Sequence, residues 1–329
     1  MKQIATLTII AAAATVAGCG SGSASPSMLV PNGIRPRVQA PARATAVPDV
    51  GRKGLYVSNA SEVLGFRAIP RRNRPRTCTV QGAPGGGIAV DGRGNLIEAD
   101  GGSRTIRIFQ GPKMCGPEIG SFGDRYGQPS DVASANAATG AIVVANIFDT
   151  SGAGSISVCT LAGGCTRNLT NPAMYEVAGV AQAKNGDCWA SALDSSGFAT
   201  LTYFVACAGS GQVATGFKNA SYGGLDIDKD GNLVSVDLIG AGSGALWVYK
   251  GCNPGCKLVA GPFALEGETV FGHLDNDSTK FAGADFEFGQ VDIYRYSTKS
   301  LSYEYSFNNG FGGSSSDVEG VAYNPRSKE

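Results

Sequence analysis

Carboxylate and amide side chains recur at one position of a repeating pattern: Asn59, Asp100, Asn146, Asp194, Asp237 and Asp285. A second set falls where the chain enters the next copy of that pattern: Asp131, Glu176, Glu268, Asp317 and Glu319. Oxygen donors of this kind suit a hard divalent cation such as Ca²⁺. A cation held there would act as a Lewis acid in hydrolysis. The candidate metal or ligand residues are therefore Asp100, Asn146, Glu176, Asp194, Asp237, Asp285 and Glu319. A structural reading competes with the chemical one. Asp and Asn side chains bond the backbone amides of their own turns. Six copies of one residue type at one repeat position favour that shared structural job, because a catalytic site breaks the symmetry of a repeat.

Two further features could carry chemistry. Asp226-Ile227-Asp228-Lys229-Asp230-Gly231-Asn232-Leu233, ending at Asp237, places oxygens as a calcium loop does, with Asp where a bidentate Glu is usual. The same segment aligns with residues 89 to 100, which lack two of those oxygens, so an Asp-Gly-Asn turn accounts for it. The one histidine, His273, lies in a first-strand segment with no charged relay beside it in sequence, so a structural role is expected. The chain contains no Gly-x-Ser-x-Gly elbow, no Gly-x-x-x-x-Gly-Lys phosphate loop and no Cys/His nucleophile pair. These residues assemble no recognisable catalytic set, and no catalytic residue is assigned.

The elements that position these groups repeat. Gly87-Ile88-Ala89-Val90-Asp91-Gly92-Arg93-Gly94-Asn95-Leu96-Ile97-Glu98-Ala99-Asp100 and the segment from Gly224 to Asp237 each read as strand, tight turn, strand and terminal Asp. Weaker copies start near Asp131, Gly179, Gly272 and Gly320, in steps of 44 to 48 residues. A third, alternating strand follows each copy, as in Arg104 to Phe109, and an outer strand follows that, as in Glu118 to Phe122. Four strands at this period make a propeller blade. The last copy has only its first strand, Gly320 to Tyr323. Gly54 to Asn59, Glu62 to Ala68 and Thr77 to Gln81 match the missing three. The expected fold is all-β: a six-bladed β-propeller over 51–329 in which the C-terminus completes a blade begun at the N-terminus, leaving no open edge.

The unit Gly-x-Ala-x-Asp-x-x-Gly-Asn-Leu-x-x-Ala-Asp followed by a strand resembles the repeats of the NHL family and related six-bladed propellers. The resemblance covers residues 54 to 329 and is strongest over 85 to 109 and 222 to 249. It implies architecture and says almost nothing of activity, because propellers host lyases, lactonases and plain binding modules. Gluconolactonase-like and paraoxonase-like propellers use a metal at the channel mouth for hydrolysis, which gives the oxygen ring its enzymatic reading.

The amino-terminal end points to export. Lys2 precedes an apolar stretch, Ile4 to Ala17, too short to span a bilayer stably. Val16-Ala17-Gly18-Cys19 looks like a bacterial lipobox, which implies a signal peptide over 1–18 and an acylated Cys19. Gly20 after the Cys implies the outer membrane if the cell is Gram-negative. Residues 19–50 are rich in Ser, Gly, Pro and Ala and read as a flexible tether spanning roughly 30 Å. Eight of the nine cysteines then remain, an even number for an oxidising compartment. Cys159 with Cys165 and Cys252 with Cys256 each span a hairpin turn. Cys188 and Cys207 flank a turn between adjacent strands, and Cys78 pairs with Cys115 by elimination.

Glycine contributes 48 of 329 residues and charged residues only 16%, as expected of many short strands joined by tight turns. The formal net charge is zero, so no global field draws in nucleic acid. A local run, Arg67, Arg71, Arg72, Arg74 and Arg76, reads as a solvated turn. The expected protein is a monomeric, membrane-anchored extracytoplasmic binding or scaffold module for protein, peptide or glycan, with no cofactor. The alternative is a metal-dependent hydrolase using Ca²⁺ or another divalent cation at the ring.

Overall fold

A computed structural model describes residues 54–59, 61–66, 76–83, 85–134, 140–240, 243–308 and 318–324. The signal peptide, Cys19, the tether, Asp317 and Arg67 to Arg74 lie outside the described residues. Within them the chain forms six four-stranded antiparallel sheets arranged as a β-propeller. Blade 1 contains β1 (Gly54–Asn59), β2 (Val63–Phe66) and β3 (Cys78–Val80). Blade 2 contains β4 (Gly87–Val90), β5 (Leu96–Asp100), β6 (Thr105–Phe109) and β7 (Glu118–Gly123). Blade 3 contains β8 (Gly127–Ala133), β9 (Ala141–Asp149), β10 (Ser155–Thr160) and β11 (Gly164–Leu169). Blade 4 contains β12 (Glu176–Gln182), β13 (Cys188–Leu193), β14 (Ala199–Phe204) and β15 (Gln212–Val213). Blade 5 contains β16 (Leu225–Ile227), β17 (Leu233–Gly240), β18 (Ser243–Lys250) and β19 (Lys257–Leu265). Blade 6 contains β20 (Thr269–Leu274), β21 (Lys280–Asp285), β22 (Gln290–Ser297) and β23 (Ser300–Phe307).

The closing strand β24 (Val318–Asn324) is the inner strand of blade 1. It runs antiparallel to β1, with Gly54 opposite Asn324 and Asn59 opposite Val318. The first and last strands of the described residues thus share one sheet, and β24 fills the inner edge of blade 1.

Burial follows position in the blade. The second strands are covered by the flanking blades on both faces, so β1 is buried throughout. The outer strands face solvent on one side, and β19 alternates between exposed and half-buried. Six apolar clusters are found among the described residues, each between two successive blades. The seam between blades 6 and 1 illustrates the pattern: Leu55, Phe66 and Tyr323 pack on Ala282, Val291 and Phe307. Each such side chain contributes roughly 1.5–3 kcal/mol on full burial. Where glycine opens a copy, crowding at the axis can require it. A Cβ on Gly179 would run into the Gly223 carbonyl, and one on Gly87 into that of Ser130.

Four disulfides pin the blades: Cys78–Cys115, Cys159–Cys165, Cys188–Cys207 and Cys252–Cys256. The first joins blade 1 to blade 2, and the other three stay within a blade. Among the described residues no helix is long and apolar enough to cross a membrane.

Alternating strand direction gives the ring two unlike faces. One, the hairpin face, carries the turns between first and second strands, together with Gly54 and Asn324. The other, the capping face, carries the turns between second and third strands and the connections between blades.

Candidate functional site

The oxygen-bearing residues singled out by the repeat lie toward the capping face, and most turn back onto their own blades. Asn59 Oδ1 accepts from the amides of Ser61 (2.9 Å) and Glu62 (2.7 Å). Asp100 does the same for Gly102 and Ser103, and Asp194 for Ser196 and Phe198. Asp285 accepts from Glu287 (2.9 Å), Phe288 and the Gln290 amide. Two positions depart from the repeat, because β9 and β17 run past them. Asn146 lies inside β9 and accepts no turn amide; its Nδ2 donates to Ser157 Oγ at 2.8 Å. Asp149, at the end of β9, caps that turn instead through Ser151 N. Asp237 lies inside β17 and holds the incoming connection, accepting from Ala220 (2.9 Å) and Ser221 (2.7 Å), as well as from Trp247 Nε1 (3.0 Å). Glu176 accepts from Tyr222 Oη at 3.4 Å, and Glu319 is half-buried in β24.

These donors are spread one or two to a blade. Among the described residues, one grouping of three His, Cys, Asp or Glu donors lies within 4.8 Å: Asp124 with Cys159 and Cys165. Those two sulfurs form a disulfide and are not thiolates. Among the described residues, no three of the ring's carboxylates lie within that distance of one another.

The calcium-like loop divides its oxygens among separate tasks. Asp228 Oδ1 accepts from the amides of Asp230 (2.9 Å) and Asn232 (2.8 Å), while its Oδ2 accepts from Tyr296 Oη. Gly231, at φ +80°, completes the turn, in the conformation that glycine adopts without strain. Asp237 lies inside β17, away from the turn, and Asp226 lines the channel mouth. The segment is a hairpin, and its carboxylates do not surround one point.

The hairpin face holds a cavity of about 510 Å³ at the mouth of the channel. The ends of all six inner strands line it, from Val90 in blade 2 round to Tyr323 in blade 1. Most lining carboxylates are taken up locally. Asp91 accepts from Arg93 and Asn95, Asp228 from its own turn, and Asp275 from Thr279 and Lys280.

Blades 5 and 6 break this repetition. His273 Nδ1, on β20, lies 3.3 Å from Asp226 Oδ2 on β16. The same oxygen accepts from Leu274 N at 2.7 Å, which fixes the carboxylate against the neighbouring blade. Asp131, on β8 across the ring, is 2% exposed and accepts from Val180 N at 3.1 Å. Burial presses the imidazole toward its neutral form. The hydrogen bond and charge of Asp226, aided by the charge of Asp131, outweigh that, and the His273 pKa is raised. Burial also raises the Asp131 carboxyl, to about 6, against the opposing pull of the His273 charge. His273 Nε2 is the ring nitrogen left for the cavity. The sequence showed His273 but no relay for it, because its partner lies 47 residues away on the next blade.

No family model matches the chain, and no curated protein matches it. Solved structures match it in fold. A chain of a nidogen/laminin complex superimposes with a TM-score of 0.57 at 13% identity, covering 82% of this chain and 97% of that one. A functionally unknown protein from Desulfotomaculum acetoxidans DSM 771 gives 0.52 at 15% identity, covering 82% and 84%. A putative 6-phosphogluconolactonase from Bacteroides fragilis NCTC 9343 gives 0.52 at 9% identity, covering 85% and 99%. Identities this low establish the fold alone.

Proposed function

We propose that this protein is a lipid-anchored, extracytoplasmic binding module with an NHL-like propeller. Its ligand site is the channel mouth on the hairpin face, where a small molecule or the end of a peptide or glycan chain enters. One observation carries the reading: a cavity of ligand size whose lining carboxylates are bonded to protein donors and whose imidazole keeps Nε2 for a ligand. The two lining serines are already engaged. Ser134 Oγ donates to Ala141 O at 2.9 Å, and Ser278 Oγ accepts from Lys229 N at 2.8 Å. A nucleophile held against His273 is therefore missing from the cavity wall described. The anchor rests on Val16 to Cys19, and four disulfides suit an oxidising compartment.

The test is to screen the full chain and its His273→Ala variant against arrays of peptide termini, glycans and small acids. Ligands retained by the parent and lost by the variant are expected. Retention of every ligand by the variant would place the site elsewhere. Labelled fatty acid should enter the parent chain and not Cys19→Ser.

A metal-dependent hydrolase of lactones or related esters is the second reading. It draws on likeness of fold to the putative 6-phosphogluconolactonase, and the separated carboxylates weigh against it. Divalent-ion-dependent turnover of a lactone panel by the purified protein would favour it over binding.

A further inference from the structure

The net charge of zero conceals a one-signed sector on the capping face. Capping-face turns and connections of blades 4 to 6 bear Glu176, Asp194, Glu266, Glu268 and Glu287, and Lys218 is their one cation. None of these five forms an ion pair among those found in the described residues. The hairpin-face turns of the same blades mix the two signs, with Lys184, Lys229 and Lys299 beside Asp187, Asp228, Asp230, Asp275 and Asp277.

The acidic sector is also apolar. Tyr175 is 46% exposed, Phe198 69%, Ile239 48% and Phe288 52%. Tyr175, Phe198 and Phe288 stand on capping-face turns or connections of blades 4 to 6 and Ile239 near the capping end of β17, and exposed aromatic side chains on adjoining loops mark interaction surfaces. The loops touch one another. Phe148 meets Tyr175 edge-on at 6.5 Å, Tyr222 reaches Glu176, and Glu268 O accepts from Phe286 N at 3.0 Å.

We propose that the capping face of blades 4 to 6 docks a basic segment of another protein, one that presents Lys or Arg beside apolar side chains. Charge complementarity selects this occupant. A neutral glycan would bring no countercharge to the five carboxylates, and an anionic membrane would be repelled. Access agrees. The described chain starts at Gly54 on the hairpin face, so the segment preceding it joins the ring on the side away from this surface. The proposal is independent of the channel site.

The experiment uses the full chain and a 16-residue peptide of alternating Lys and Leu pairs, with a Glu/Leu peptide of the same pattern as control. Fluorescence anisotropy at low and high salt reads the affinity. The Lys/Leu peptide is expected to bind at least tenfold tighter than its control and to weaken with salt. Glu266→Gln/Glu268→Gln/Glu287→Gln and, separately, Phe198→Ser/Phe288→Ser should each cost about tenfold, with melting temperatures near the parent. Lys184→Ala/Lys299→Ala on the other face should change nothing. Equal binding of both peptides, or full binding by both surface variants, would overturn the proposal. So would preferential binding of neutral glycans, or head-to-tail self-association of the chain, because the occupant would then be a sugar or a second copy.

Discussion

The two ends of the channel use the same residue for opposite purposes. On the capping face, Asn59, Asp100, Asp194 and Asp285 repeat one task, each gathering the amides of its own turn. On the hairpin face, Asp91, Asp228 and Asp275 repeat a similar task, while Asp226, inside β16 where blade 2 has Ala89, reaches across to His273. Repetition in this molecule marks architecture, and the proposed ligand site rests on the departure from it at Asp226 and His273.

The contrast presupposes a closed ring, so opening the ring is the harshest way to break it. Deleting residues 318–329 removes the inner strand of blade 1 and the buried side chains of Val318, Val321 and Tyr323. At roughly 1.5–3 kcal/mol each, plus the β1 ladder, the loss rivals the whole stability of a typical domain. No cooperative melting transition is expected. A chain that still melted in one step near the parent temperature would refute the closure.

Asp285→Ala tests the repeated task. Asp285 is fully buried, and its loss leaves the amides of Glu287 and Phe288 without their acceptor. A cost of about 1–3 kcal/mol is expected, with ligand binding at the hairpin face unchanged. Loss of binding without loss of stability would assign the ring a functional role.

Buried acids set the pH dependence. Burial pushes Asp292 up to about 8, with the nearby charges of Asp285 and Glu266 adding to the rise. Glu98 goes to about 7, and Asp285 to about 6, chiefly through burial. An acid raised on folding binds more protons in the native state. Stability must therefore fall as pH climbs from about 4 toward 8. Denaturant melts should show a higher midpoint at pH 5 than at pH 8, and Asp292→Asn should flatten that slope. An equal or steeper slope in the variant would remove Asp292 as its source.

The smallest expected effect is the sharpest. His273 is the sole histidine, so its ring gives one isolated NMR titration. Asp226→Asn should lower its pKa. The raised pKa stabilises the fold below the unfolded value and loses that contribution as pH rises through the folded one. The variant should thus be weaker at low pH and nearly unchanged at high pH. An unmoved titration would mean that Asp226 does not govern the imidazole.

Much of this was legible in the chain itself. The Gly-led unit gave the blades, the orphan strand at Gly320 gave the closure, and hairpin spacing gave two of the disulfides. Strand length was less legible. Nothing local says that β9 runs on to Asp149, which displaces Asn146 from the turn it seemed placed to cap. The His273–Asp226 contact was invisible for a different reason. It joins neighbouring blades, and a periodic sequence aligns residues at equal phase without saying which ones meet across a seam. The acidity of the capping face was hidden because a chain-wide sum of zero says nothing about where the charges stand.

The shared sheet of blade 1 also has a mechanical side. A pull on the segment preceding Gly54 enters along the axis of β1, which is hydrogen-bonded to β24 on one edge and β2 on the other. Such a load shears both rows of bonds together instead of peeling them one at a time. Any pull on that segment is then borne by β1 and β24 jointly, and Cys78–Cys115 passes part of it covalently into blade 2.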